Sequence, residues 1–325
     1  MTTVNLNALS LSQWAKLSIA ELNRLDSSQW QGLSDEALRR IAPDQWGAIA
    51  TDKLRLLSPT QWSAMATDDL GGLQSAQWQA LTTAAFVGLE APQWISLGPD
   101  DLSSLSQVQW SSIPVSELKA ISPLQWSRLS PSVLERLETA QWAGLDPIDL
   151  RSLTQTQWQS LGVNQLRALD GAQWRGLFRD DLESISSSQW RSLEADDINS
   201  LSASQWASLS IATVNVLTDE QWASVTPSNL SAMLGSQWAA LDDRVIKALG
   251  TLQWSAMSVE DLKSLTAGQW EATSTIALKA LSARQWAALD PVDLRALSDT
   301  QWLIGARGLH CVDSKPVGTF DSIQP

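Results

Sequence analysis

Apolar residues recur along this chain at intervals of 3, 5, 3 and 5 residues, and the cycle closes after 16. A tryptophan marks each cycle, from Trp14 to Trp302, 19 in all, and a glutamine precedes every one. Three residues after Trp stands Leu, Ile, Val or Met in 17 of 19 units, with Thr273 and Gly305 as exceptions. Eight and eleven residues after Trp, from Leu22 and Leu25 onward, the residue is apolar in all 18 units before the tail. Each unit is thus two octads, one carrying Trp and Leu, the other Leu and Leu. An i, i+3 apolar pair lies on one helix face, whereas a strand needs alternation, which is absent.

Polar positions break the helix in every octad. Ser, Thr or Asp stands four residues before Trp in 13 of 19 units, as in Ser10, Asp26 and Ser58. Four residues after Trp the device returns in Ser18, Ser34 and Asp146. These are N-cap residues, whose side-chain oxygen accepts from a free backbone N–H. Eight of the ten array prolines, Pro43 and Pro59 among them, follow a cap position, where proline loses no hydrogen bond. Acidic residues favour the second octad's N3 position (Glu21, Asp69, Asp149), and basic residues the position two further on (Arg39, Lys119, Arg295). Both preferences complement the helix dipole.

The pattern therefore predicts an all-α protein, an α-solenoid or superhelix of very short helices, two per 16-residue repeat and about 19 repeats. Helices of five to seven residues are expected. Isolated helices below about 12 residues are marginal, so these must rest on their neighbours. Residues 1–305 form the array and 306–325 a non-repeat tail or cap.

Trp sits on the inward face with Leu and is expected in the core. Ser-x-x-Gln reads as a capping box. That accounts for Gln or Glu, yet Gln persists in the six units whose cap is Ala42, Gln74, Glu90, Glu138, Leu234 or Gly250. Gln is neutral and both donates and accepts. Its side chain is therefore expected to be at least partly buried and bonded to a neighbouring unit.

The octads, in the form LSxxQWxxLSxxxLxxL, resemble the Leu-rich LTxxQxxxLTxxxLxxL tracts of large bacterial repeat proteins, often secreted or surface-associated. The resemblance covers about residues 2–302. The chain departs from those tracts in placing Trp in every second octad, and no calcium-binding nonapeptide repeats accompany it. The resemblance implies a bacterial structural or adhesive role.

Composition narrows the chemistry. The net charge of −13 disfavours nucleic acid and anionic membranes as partners, and leaves a protein partner or self-association. No stretch approaches the roughly 18 apolar residues of a membrane span. The N-terminus lacks a classical signal-peptide pattern; the location stays open, and a soluble chain is expected. Four groups of residues were weighed as sites. The acidic pairs Asp68-Asp69, Asp100-Asp101, Asp180-Asp181 and Asp196-Asp197 read as solvated helix starts rather than a cation site. Lys247, Lys263, Lys279 and Arg295 form a basic stripe that the helix dipole explains. His310-Cys311, the single His and single Cys, make no metal or nucleophile pair. Asn229-Leu230-Ser231 matches a glycosylation triplet inside a helical octad. No catalytic, cofactor or metal residue is assigned, no cofactor is expected, and the chain reads as non-enzymatic. The first expectation is a spacer, scaffold or adhesin-like segment; the alternative is a peptide- or protein-binding repeat module.

Overall fold

A computed structural model describes residues 6–14 and 16–308. Among the described residues a short 3-10 turn, Leu6–Ala8, is followed by 37 α-helices and no strand. The octad array is a helical repeat, one helix to each octad. The chain divides into two compact units, Met1–Ala168 and Leu169–Pro325, and the same packing operates inside each.

The helices from Leu11–Trp14 to Pro291–Ala296 have four to six residues, slightly shorter than expected. The expected signals start them. In the helix Pro59–Ala64 the Ser58 hydroxyl accepts from the Gln61 N–H at 3.3 Å, and the Gln61 Oε1 accepts from the Ser58 N–H at 2.9 Å. The last apolar residue of the octad ends them. Leu129, for example, turns to φ −65° and ψ 139°, which stops the helix Pro123–Arg128 and leads the chain into the next cap. The leucine that fills the core is therefore also the hinge.

Helices do not pack mainly on their chain neighbours. Pro59–Ala64 packs on Thr83–Gly88, and Thr251–Ala256 on Thr275–Ala280, each three octads away. Hydrogen bonds reach four octads away, from Gln61 to the carbonyls of Trp30 and Leu33. Within each unit the winding thus has between three and four octads per turn. A 16-residue unit straddles its neighbours and is not one layer of a stack. The short helices make this possible, since each can tilt at a hinge.

The tryptophans fill the interior as expected: from Trp30 to Trp270 none is more than 1% exposed. Phe86 takes a leucine position between Trp78 and Trp94, with ring centroids 6.4 and 6.2 Å away. Trp206 and Trp222 meet at 6.2 Å, and Trp254 and Trp270 at 6.1 Å. Thr273, the polar departure at a Leu position, is buried and returns its hydroxyl to the Gln269 carbonyl at 2.8 Å.

Successive turns approach closely where a helix ends against the start of the helix three octads earlier. A Cβ on Gly72 would stand 2.0 Å from the Pro43 carbonyl oxygen, whereas one on Gly71 would meet nothing within 4 Å. Gly71→Ala should stabilise the array by about 0.5–1 kcal/mol through helix propensity. Gly72→Ala, one residue on, should destabilise it by about 1–3 kcal/mol by forcing the turns apart. Urea unfolding midpoints of the two variants, moving in opposite directions, check this.

Candidate functional site

The most repeated polar feature is the glutamine, and its geometry is the same from unit to unit. Gln109 accepts from the Ser106 N–H through Oε1 at 2.7 Å. Its Nε2 donates to the carbonyls of Trp78 at 2.8 Å and Leu81 at 2.9 Å, four octads earlier. Gln205 does the same to Trp174 and Leu177 in the second unit, at 2.8 and 2.9 Å. Glutamate could accept from the cap but could not donate to two carbonyls. The partner is thus backbone, as expected, but in the unit two earlier instead of the adjacent one. Where the cap side chain cannot help, the amide still does: the Ala42, Gln74 and Leu234 N–H groups all donate to their Gln Oε1, at 3.0, 2.7 and 2.7 Å. Gln13 and Gln29, which have no octad four places before them in this sequence, are exposed and half-buried. From Gln61 on, the glutamines are buried.

A second clamp joins octads three apart, and sequence reasoning missed it. Asn23 donates to the Ala48 carbonyl at 3.1 Å and accepts from the Ala50 N–H at 2.8 Å. Asn7, Asn199 and Asn215 repeat it, nine residues after a Trp or its register equivalent. At that position Arg39 and Arg191 send Nε to the equivalent carbonyl, Ala64 at 3.0 Å and Val216 at 3.3 Å. The basic preference read as a dipole effect therefore also ties turns together. Four Asn at one register position was the signal available in the sequence.

The tryptophan N–H groups are less well served. Trp14, Trp30 and Trp222 donate to the carbonyl eight residues earlier at 3.2, 3.2 and 3.0 Å. In Trp46, Trp94, Trp110 and others the indole N–H is buried without a hydrogen-bond partner.

The acidic pairs do not converge. Asp68, Asp100, Asp180 and Asp196 are exposed, while their neighbours turn inward to cap their own helices. Asp69 accepts from the Ala66 N–H at 2.9 Å, Asp181 from Phe178 at 2.7 Å and Asp197 from Glu194 at 2.9 Å. The expectation of solvated helix starts holds for one carboxylate of each pair and fails for the other. Burial raises the pKa of Asp69, Asp101 and Asp293 and pushes Asp149 up to about 6, with the backbone cap opposing. The Trp46 indole N–H also partly offsets the effect at Asp69.

Lys247, Lys263, Lys279 and Arg295 are exposed but lie two octads apart, while packing runs three and four apart, so they are not successive rungs of one stripe. Asn229 is buried and donates to Asn199 Oδ1 at 3.2 Å, which occupies the amide a glycan would need. His310 and Cys311 lie outside the described residues. Among the described residues no helix is long and apolar enough to cross a membrane. Compared with known protein families and with curated proteins, the sequence matches none.

Two outcomes follow from this geometry. Gln109→Glu, at pH 7.5, removes two donors and buries a charge, and should cost about 3 kcal/mol or more. Gln109→Met, which keeps the volume, should cost less; chemical unfolding compares them. The raised aspartates bind protons more tightly folded than unfolded, so their contribution is full at low pH and is lost as pH rises through about 6. Tm should rise between pH 7.5 and 5, and less so in Asp149→Asn. The carboxyls of Glu21 and Asp26, lowered by their cap hydrogen bonds, act oppositely but only below that window.

Proposed function

We propose that this chain is a non-enzymatic structural solenoid, a spacer or scaffold of the kind found in bacterial surface repeat proteins. One observation carries the reading. The polar side chains that recur from unit to unit, Gln before Trp and Asp or Asn in the second octad, are engaged in caps and clamps that hold turn to turn. What faces outward changes from unit to unit, as a surface without a shared ligand would.

A second reading, a module that binds a protein or peptide, rests on a narrower observation. Leu124 and Ile148 are both exposed, on helices that pack together; so are Leu252 and Ile276. Apolar side chains standing outside an array are candidate anchors for a partner.

The two readings separate in one experiment. In the native host, the segment 43–290 is replaced by an array of equal length that keeps Gln, Trp, Leu and caps but scrambles the exposed positions. A spacer restores the phenotype of a strain lacking the gene. Failure of a correctly folded replacement sinks the spacer reading and favours the binding module.

A further inference from the structure

The final helix, Asp299–Gly308, has ten residues, and it runs through the position where the next cap was due. Ala306 stands at that cap, and Gly305 replaces the hinge leucine. Its unit also carries two departures that elsewhere would not fit. Two residues after Trp, 16 of the first 18 units have Gly, Ala or Ser, because the next turn presses there; the last has Ile304. One residue after Trp the last unit has Leu303, which is 61% exposed. Leu303 and Ile304 open onto a cavity of about 550 Å³, with Leu278, Leu281, Trp286 and Lys279 on its other walls. The ladder stops here too. The carbonyls of Trp286 and Leu289 would be served by residue 317, which is a valine.

We propose that residues 309–325 of the same chain occupy this groove and close the end of the array by apolar packing. The segment starts one residue beyond the groove wall. Its 17 residues span up to about 55–60 Å extended, ample to turn back over a groove that begins at Thr275. Leu309, Val312, Val317 and Phe320 supply the apolar groups, and Asp313 and Asp321 suit the Lys279 rim. Tethering keeps the segment at high effective concentration, so modest contacts suffice. An uncovered solenoid end exposes core surface, which an atypical terminal segment normally hides.

The test is amide hydrogen exchange across residues 275–304 in the full chain, in a chain ending at Gly308, and in full-length Phe320→Ser. Exchange there should rise roughly tenfold in both altered proteins, leaving the first unit unchanged. A synthetic peptide of residues 309–325, added to the shortened chain, should restore protection. Equal exchange in all three proteins overturns the proposal. So does protection that depends on protein concentration and tracks a dimer by sedimentation, because a second copy then fills the groove.

Discussion

One carboxamide holds the successive turns in place. The glutamine before each tryptophan accepts at its own helix start and donates to two carbonyls four octads away. Helices of four to six residues have no stability of their own. Their end carbonyls would be buried and unpaired without that donor, and a buried unpaired group costs about 1–3 kcal/mol. The requirement is for neutrality, a donor and an acceptor in one side chain of one length, and glutamine meets it. The aspartates at the corresponding position of the second octads cap but cannot donate while charged, and their raised pKa values follow from that.

The winding repeats, one level up, the logic of an α-helix. Octads take the place of residues, with packing and Asn clamps reaching three places on and Gln clamps four. The two directions resist different distortions. Asn and Arg fix the approach of helices three apart; Gln fixes the rise of the turn. As with a helix, the ends are distinct: exposed donors at Gln13, and at the other end carbonyls whose due partner is Val317.

Fold class, helix starts and the tryptophan core were legible because each rests on a local rule: cap residues, proline at N1 and i, i+3 apolar pairs. The need for Gln rather than Glu was legible as chemistry, from the six units lacking a polar cap such as Ala42 and Leu234. Its partner was not, since nothing local tells a residue which turn lies above it. The same gap hid the Asn23 and Asn199 clamps and made Lys247 and Lys263 look like neighbours. Asp69 and Asp149 were read as solvated because a helix-start acid usually is. Their burial comes from a turn 24 to 32 residues away.

The even span of the Gln clamp also governs how such a gene can change length. Four octads on from a Trp octad is another Trp octad, and three on is a Leu octad, so large and small core residues alternate in a fixed lattice. Recombination that adds or deletes 16 residues is silent: every contact keeps its type. A slip of eight inverts the lattice across the junction, setting indole against indole where leucine was due and leaving voids where rings belonged. Copy number is therefore free to drift in steps of two octads, and the unbroken 16-residue spacing from Trp14 to Trp302 is the record of that filter.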